Sequence, residues 1–543
     1  MTRWLATVAF APRTWRALAL STALTASLAI VSTYHVFSQT FDEPAHIGAG
    51  MEWLSRGTYT FEAQHPPLGR VASAVGPYLA GERLVGSSMW FEGARILGSG
   101  DHYVRTLALA RLGQLPFFLL LCLVVWTWGR RLAGEAAGAL AVVFAATNPN
   151  ILAHAALATT DIAPTALVPA ALLGFAAWLE RPALGRGALF GVALGAALVS
   201  KFSALAFIAP TVVVGYGAWA SLGRKAGANV ERVTPGARDI AIVAVTAWLV
   251  IWTSYRFEVG PLVEGGRVSV LAPTFFRGLV DFATHGALGH TAFLLGHVSS
   301  RGWWYYFLVV LAVKTPLPLL ALGIVGAWAG VRAARRDGAW EAVLPLIGAC
   351  VVLAVGMATH VDIGVRHILA IYPLLAVLAG VGSMALWQRS RSSGMTWVRT
   401  ASAPAAVAIV ASTVLVAVRA HPDHLAYFNP VAASHPERVL SDSNLDWGQD
   451  LYRLADEMRR RGIDSIALAY FGSANPAAAG VRGARPLAHN ERVTGWIAVS
   501  ETYLAGAWSD TGYVWLRDVA PVSRIGRSMR LYFLDSRQLS ALR

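Results

Sequence analysis

The chain alternates long apolar runs with short polar segments that carry most of its charged residues. A helix that crosses a bilayer needs about twenty mostly apolar residues. We therefore expect about eleven spans, at 16–37, 107–129, 136–153, 162–179, 187–200, 203–221, 240–255, 304–329, 340–358, 368–387 and 401–419. Lys201 interrupts the pair at 187–221, so one tilted helix or a re-entrant segment is the alternative there. The first run follows Arg3, Arg13 and Arg16, and its length favours an uncleaved anchor over a signal peptide.

Basic residues gather on one side of the membrane when eleven spans are counted. The clusters are Arg130 and Arg131; Arg181 and Arg186; Arg224, Lys225, Arg232 and Arg238; Arg332, Arg335 and Arg336; and Arg389, Arg391 and Arg399. Cytoplasmic loops are enriched in lysine and arginine, so we assign this side and the N-terminus to the cytoplasm, in a cell inner or plasma membrane. The alternate segments are then extracytoplasmic, namely 38–106, 153–161, 256–303, 359–367 and the tail from about His421.

Composition supports a membrane protein and excludes other classes. Hydrophobic residues make up 55% of the 543 residues and charged residues only 14%, against about a quarter in soluble proteins. The formal net charge of +14 could indicate nucleic acid, but no basic stripe with interleaved aromatics occurs, and we expect no nucleic-acid partner. Cys122 and Cys350 both lie inside apolar runs, which argues against a disulfide framework or a cysteine metal site.

From about residue 420 the composition becomes that of a soluble domain. Leu451–Arg461 reads as an amphipathic helix ended by Gly462. Strands are predicted at Ser465–Phe471, Gly495–Val499, Gly512–Leu516 and Met529–Leu534. We therefore predict a multi-pass α-helical membrane domain over 1–419, with a first outer loop at about 38–106, and a small extracytoplasmic α/β domain over 420–543.

Two adjacent carboxylates, Asp42 and Glu43, directly follow the first span. Ionisable groups at a membrane boundary are costly, and they are functional-site candidates by default. One of the pair could act as a general base or orient an acceptor. The alternative is a helix start, because acidic residues and Pro44 suit the first turn. Asp161 ends the second outer loop on the same side, as a second site carboxylate or as a helix cap.

Cations and histidines on the outer side could meet a phosphate or a metal ion. Lys201, Arg366, His367 and Arg70 are candidates for phosphate binding. For Arg366, the alternative is a boundary residue or a partner for Asp362. The sequence indicates no certain cofactor. A divalent metal remains open, with ligands among three histidines that show no tight spacing, His46, His65 and His154.

Two further motifs leave their roles open. Lys314 lies in a span broken by proline, where it could snorkel, pair with a carboxylate or line a cavity. In the tail, Asp442, Asp446 and Asp450 recur every four residues, and we interpret them as a helix start with a solvated face rather than as a cation site.

Several of these motifs together resemble the phospholipid-carrier-dependent glycosyltransferases of the GT-C type, which include protein O-mannosyltransferases and aminoarabinose transferases. The resemblance covers most of the chain. It rests on Asp42-Glu43-Pro44-Ala45-His46, His65-Pro66-Pro67-Leu68, Asp161, Gly191–Gly195 leading to Lys201-Phe202-Ser203, Lys314–Pro318, and Arg366 before Tyr372-Pro373. In the tail, Tyr427–Pro430 and Asp442–Leu451 look like a bacterial subgroup with an extracytoplasmic C-terminal domain.

The resemblance implies inverting transfer of one sugar from a polyprenyl-phosphate donor to an extracytoplasmic protein, lipid or glycan acceptor. It implies that Asp42 is the base or acceptor-positioning group, supported by Glu43 and Asp161, and that Lys201 and Arg366 bind the donor phosphate. A transporter or lipid flippase is the alternative, although such proteins tend to show matched broken helices in two halves, and this chain shows one proline-broken span. A non-catalytic receptor is the third hypothesis.

Overall fold

The structure, a computed structural model, describes residues 11–98, 100–222, 234–263, 265–392, 396–508 and 512–541, and the side chains of these residues except 391–404. It is mainly helical. The helices are α1 Pro12–Ser32, α2 Glu43–Arg56, α3 Pro67–Leu79, α4 Met89–Leu97, α5 Gly100–Leu112, α6 Leu115–Ala133, α7 Glu135–Ala146, α8 Pro149–Ala155, α9 Ile162–Glu180, α10 Leu184–Leu198, α11 Ser203–Leu222, α12 Ala237–Ser254, α13 Pro273–Leu288, α14 Tyr306–Lys314, α15 Leu317–Asp337, α16 Leu344–Ala358, α17 Ile371–Ser392, α18 Thr396–Ala420, α19 Leu451–Arg461, α20 Glu501–Leu504 and α21 Ser536–Ala541.

The apolar runs form the membrane-spanning part of the molecule. Within the described residues, eight helices are long and apolar enough to cross a bilayer. A ninth candidate is the pair α7 and α8, which is bent by 66° at its break, and two shorter apolar helices lie at Leu184–Leu198 and Ala405–Ala420. These segments overlap the expected spans, but the bounds expected at 304–329 are wrong, because the spanning helix there is Leu317–Asp337. Of the basic residues that set the orientation, Arg224, Lys225 and Arg232 lie outside the described residues.

Two of the expected membrane segments are broken, one at polar residues and the other at a proline. The segment at 187–221 forms two helices, α10 and α11, which are separated at Ser200 and Lys201, so a single tilted helix is wrong. The segment at 304–329 divides into α14 and α15 at Thr315 and Pro316. Proline removes a backbone donor and favours such a break. Both breaks expose backbone groups that other parts of the chain then contact.

Small residues let the helices approach closely. α15 packs along α17, and a Cβ atom on Gly326 would lie 1.8 Å from the carbonyl oxygen of Leu378. A Cβ on Gly382 would lie 2.2 Å from the carbonyl oxygen of Leu322. Apolar lipid gives no hydrophobic drive for helix association, so close packing of this kind stabilises the bundle.

The C-terminal region carries a five-stranded mixed sheet. The strands of the molecule are β1 Val259–Pro261, β2 Ser269–Leu271, β3 Ala292–Leu294, β4 His297–Ser299, β5 Ile466–Ala469, β6 Ala484–Pro486, β7 Gly495–Ser500, β8 Ser523–Ile525 and β9 Met529–Leu534. The sheet order is β6-β5-β7-β9-β8, with β5 parallel to β6 and β7 and the other pairs antiparallel. One apolar cluster around α19 covers one face, and a second around Leu504 and Leu516 covers the other.

Most predicted tail elements are found, and the exceptions have local causes. The predicted strand Gly512–Leu516 is wrong, because this stretch holds a 3-10 turn at Val514–Leu516 that buries Leu516 against the sheet. The sequence interpretation missed the edge strands β6 and β8. β6 contains Pro486, and proline is tolerated in strands mainly at a sheet edge, so its apolar pattern is weak.

Candidate functional site

Asp42 lies where the first span turns into α2, at the position where a capping residue would stand. Its side chain makes no capping hydrogen bond to α2. Instead, Oδ2 accepts a hydrogen bond from Nη1 of Arg366 at 2.6 Å, across 324 residues of sequence. The Asp42 side chain is 25% exposed and the Arg366 side chain 13%. The ion pair is therefore partly buried, with Asp42 as its more exposed member.

Asp161 forms a second carboxylate–cation pair beside the first. It also precedes a helix without capping it, and its Oδ1 accepts from Nζ of Lys201 at 2.7 Å. The hydroxyl of Thr159 donates to Oδ2 at 3.1 Å, and Nδ1 of His154 lies 3.6 Å from the same oxygen. Burial raises the pKa of Asp161, but Lys201 and His154 outweigh burial and hold it well below its usual value. Asp161 is thus a buried anion.

Arg366 connects the two pairs electrostatically. Its guanidinium interacts with Asp42, Asp161 and Asp442, and these three carboxylates raise its pKa although burial opposes the charge. The neighbouring His367 is neutral, because burial lowers its pKa and the charges of Arg366 and Lys201 lower it further. The predicted carboxylates and cations from four separate outer segments therefore meet in one region.

Glu43 has an environment unlike that of its neighbour Asp42. It is fully buried, and Arg111 contacts both of its oxygens, with Nε and Nη2 each at 2.8 Å. Oε1 also accepts from the backbone N–H of Ala158 at 2.8 Å, and Oε2 from that of Thr40 at 2.7 Å. Glu43 therefore joins the first outer loop to the second, and its predicted catalytic support remains a prediction.

Arg70 and the first-loop histidines form a buried network next to the carboxylate pairs. Arg70 pairs with Glu62, and its Nε donates to Nδ1 of His46 at 3.1 Å. Nδ1 of His65 lies 3.0 Å from Glu62, and the His46 and His65 rings are 5.5 Å apart. Burial raises the pKa of Glu62, but His65 and Arg70 more than offset it and the pKa falls. The charge of Arg70 is thus compensated by Glu62, and its phosphate-binding role remains a prediction.

The histidines do not form a metal centre in this arrangement. His46 and His65 lie together, whereas His154 lies against Asp161 and faces the Trp447 ring at 6.1 Å. In the described part of the chain, no three His, Cys, Asp or Glu side chains are grouped so as to hold a metal ion.

Several buried polar atoms of this region lack a partner among the described residues. They are Nε of Arg366, Nε2 of His367 and Nε2 of His154. Buried polar groups are normally hydrogen-bonded, so groups left unpaired in one place indicate a position for a polar ligand. Arg366 offers a charged donor and His367 a neutral ring nitrogen at the same place.

The acidic repeat of the tail is buried, so its interpretation as a solvated face is wrong. Asp442 accepts from the indole N–H of Trp508 at 2.9 Å, and Asp446 from the N–H of Thr502 at 3.0 Å. Asp450 accepts from the hydroxyl of Ser528 at 2.8 Å. Burial raises the pKa of Asp442 and Asp450 to about 6 and that of Asp446 to about 8. These side chains fix the path of the segment that leads into α19.

Lys314 attaches the same segment to the membrane domain. Its Nζ donates to the carbonyl oxygens of Leu425 at 2.8 Å and Asn444 at 2.7 Å. Asn429 donates to the carbonyls of Ala312 at 2.6 Å and Thr315 at 2.9 Å, at the break between α14 and α15. The observed role of Lys314 is therefore none of the three left open by the sequence, because it binds backbone carbonyls of the tail.

Sequence reasoning missed three residues of this region. Arg111 falls inside a predicted span, where a charged residue indicates a buried ion pair or a functional site. Glu62 is one of several acids in the first outer loop, and only its place before His65 in sequence hinted at a pairing. Trp447 lies under Arg366, with its ring centre 4.3 Å from the guanidinium carbon, and no sequence pattern marks such a contact.

Comparison with known proteins supports the expected class. The sequence profile described as dolichyl-phosphate-mannose-protein mannosyltransferase matches residues 106–252. A search of curated proteins finds no match.

Solved structures extend the similarity to nearly the whole chain. A crystal structure of ArnT from Cupriavidus metallidurans bound to undecaprenyl phosphate is 14% identical, covers 96% of this chain and 98% of its own, and has a TM-score of 0.52. An oligosaccharyltransferase from Archaeoglobus fulgidus tethered with an acceptor peptide is 11% identical over 90% of this chain and 70% of its own, with a TM-score of 0.44, which is too low to define the fold.

The chain therefore shares the fold of ArnT, which agrees with the fold class that the sequence motifs predict. It is a multi-pass membrane protein with a small C-terminal sheet region. The similarity to ArnT covers nearly the whole of both chains, and the match to the mannosyltransferase profile covers residues 106–252.

Proposed function

We propose that this protein transfers one hexosyl or pentosyl residue, with inversion, from a polyprenyl-phosphate carrier to an acceptor hydroxyl on the extracytoplasmic side of the membrane. The acceptor belongs to a protein, a lipid or a glycan. The observation that carries the proposal is the pairing of Asp42 with Arg366 next to the pairing of Asp161 with Lys201. The match to a mannosyltransferase profile and the ArnT fold support the same reaction class.

In the proposed reaction, the acceptor oxygen attacks the anomeric carbon while Asp42 accepts the hydroxyl proton. The bond from the anomeric carbon to the phosphate oxygen breaks, and the electron pair leaves with polyprenyl phosphate. A positioned general base contributes typically about 10²- to 10⁴-fold. Asp42 suits this role because its side chain is the exposed member of the acid pair, whereas Glu43 is fully enclosed.

Arg366 and Lys201 would stabilise the charge that develops on the leaving phosphate. Fixed cations aimed at developing charge in a water-poor site are usually the largest single contribution to catalysis. Arg366 has an unpaired Nε, and its resting partner is Asp42. A donor phosphate would compete for the guanidinium and release Asp42, so donor binding would prepare the base. Asp161 holds the ammonium group of Lys201 in place.

The test is to replace Asp42 and follow carrier-linked sugars in cells. Deletion of the gene should cause one prenyl-phosphate monosaccharide to accumulate, as measured by lipid mass spectrometry, and this species would name the donor. Wild-type protein should clear it. Asp42→Asn should not clear it, because transfer should fall by at least about 10²-fold while the protein remains in the membrane.

Asp101→Asn is the matched control, because Asp101 is an exposed carboxylate of the same loop and lies outside the site. It should clear the donor like the wild type. Full clearance by Asp42→Asn would exclude Asp42 as the base. A deletion strain without any accumulated carrier-linked sugar would contradict the proposed reaction itself.

A further inference from the structure

We propose that the tail segment Asp442–Gln449 is a positioning element of the transferase site and that Trp447 holds Arg366 in its working place. The inference rests on the proposed function, since it concerns the arginine that would bind the donor phosphate. It assigns the C-terminal region a part in the site of the membrane domain.

The first step is the contact between Trp447 and Arg366. The guanidinium carbon lies 4.3 Å from the centre of the indole ring, and Trp447 is only 2% exposed. The ring is packed with Leu157 and Phe471, which restrains it, and the backbone N–H of Trp447 donates to Oε1 of Gln449 at 2.7 Å. A desolvated cation–π contact of this kind is worth about 5- to 30-fold in a binding constant.

The second step is that the same segment holds the loop that carries Arg366. Oδ1 of Asn444 accepts from the backbone N–H of Val365 at 3.0 Å, and the hydroxyl of Ser443 donates to the carbonyl of Ile363 at 2.8 Å. A Cβ atom on Gly364 would lie 2.1 Å from Oγ of Ser443, so the loop and the segment are in close contact. Asn444 also donates to the hydroxyl of Tyr306 at 3.0 Å, which fixes it in turn.

The third step is that the segment also holds the backbone just before Asp42. The carbonyl of Trp447 accepts from the N–H of Phe41 at 3.0 Å, and that of Gln449 accepts from the N–H of Ser38 at 3.0 Å. The hydroxyl of Ser473 donates to the carbonyl of Phe41 at 2.7 Å. Both members of the Asp42–Arg366 pair are thus placed by one short piece of chain.

This arrangement matters because catalytic groups work only within narrow geometric limits. A displacement of 1 Å caused by a distant change can cost about 10²-fold in rate. Trp447 would not touch the donor; it would act through Arg366. Loss of its ring should therefore weaken the binding of the carrier phosphate and leave the rest of the fold in place.

The experiment uses the full chain in nanodiscs and measures the binding of undecaprenyl phosphate by native mass spectrometry. Trp447→Leu should raise the Kd by about 5- to 30-fold, whereas Trp447→Phe, which keeps an aromatic face, should stay within about threefold of wild type. Trp496→Leu is the matched control, because Trp496 also has an arginine over its ring, Arg461 at 5.9 Å, but lies with Phe533 on the tail sheet. It should leave the Kd unchanged.

A double-mutant cycle separates positioning from general structural support. If Trp447 acts through Arg366, then Trp447→Leu should have no further effect on the Kd in an Arg366→Gln background. A purely structural role predicts additive losses instead, and that outcome would overturn the inference. Arg366→Gln alone with an unchanged Kd would overturn the proposed donor site, and this inference with it.

A second variant covers the case in which Trp447→Leu does not fold. A trifluorinated tryptophan at position 447 keeps the ring shape but removes electron density from its face, so the Kd should rise by several-fold. The same residue at position 496 should change nothing. If Arg366→Gln weakens binding and neither Trp447 substitution does, the positioning role fails while the proposed function stands.

Discussion

At the scale of single residues, adjacent acids take different roles because one is enclosed and the other is accessible. Glu43 receives five hydrogen bonds from Arg111, Thr40 and Ala158 and is fully buried. Asp42 has one cationic partner and a side chain that is a quarter exposed. The sequence marks both as candidates, since adjacent carboxylates look alike in a linear pattern. Contacts from distant parts of the chain distinguish them, such as that of Glu43 with Arg111, 68 residues away.

Replacement of Glu43 should therefore reduce stability. Glu43→Ala leaves the buried Arg111 without its carboxylate, and breaking a buried pair costs about 3–5 kcal/mol. The melting temperature in detergent, followed by size-exclusion chromatography after heating, should fall by several degrees. Glu82→Ala, which alters a more exposed acid of the same loop, should leave it nearly unchanged. A Glu43→Ala protein of normal stability without activity would instead point to direct catalytic involvement.

At the scale of elements, the tail segment before α19 joins the sheet to the membrane domain. Its three buried aspartates bind Trp508, Thr502 and Ser528, and Lys314 binds its backbone. The sequence interpretation found α19 with its observed bounds, because amphipathic spacing and Gly462 define it locally. It misjudged the aspartates, because burial depends on packing between elements distant in sequence.

The raised pKa of Asp446 predicts how stability changes with pH. In the unfolded chain Asp446 ionises near its usual pKa of about 4, whereas burial raises the folded pKa to about 8. Between these values the folded state holds one more proton, so this residue's stabilising contribution is full at low pH and is lost as the pH rises towards 8. The slope is up to about 1.4 kcal/mol per pH unit.

The measurement compares unfolding of the wild type with that of Asp446→Asn between pH 5.5 and 8.5. Neutral histidines such as His367 have the opposite dependence, so the difference between the two proteins is the informative quantity. The wild type should lose stability relative to Asp446→Asn as the pH rises. A constant difference across this range would mean that Asp446 is ionised in the folded protein.

At the scale of the whole molecule, the sequence predicts the spans and the fold class because their signal is local. Apolar runs mark the helices, and the breaks at Lys201 and Pro316 interrupt the pattern visibly. It also places Asp42, Asp161, Lys201 and Arg366 on one side, and the structure brings them together. The contact of Trp447 with Arg366 has no local signal, because it joins segments 81 residues apart that meet only after the tail has folded back (447 − 366 = 81).

The orientation of the molecule is a further prediction that can be measured directly. We expect the candidate site and the C-terminal sheet outside and the arginines after α15 inside. In a Cys122→Ser, Cys350→Ser background, Ser540→Cys should react with a membrane-impermeant maleimide in intact cells. Arg336→Cys should react only after permeabilisation. The reverse pattern would place the carboxylates in the cytoplasm.

The attachment of the tail through Lys314 and Asn429 has a consequence for how this protein can be divided. A chimaera joined at residue 420 would replace Leu425 and Asn444, whose carbonyls bind Lys314, but would keep Lys314 itself. It would also replace Asn429, whose amide binds the carbonyls of Ala312 and Thr315. The residues that attach the tail to the helical bundle thus lie on both sides of a junction at residue 420. Modular exchange between related proteins should succeed only when residues 312–315 and 362–366 are transplanted together with the tail.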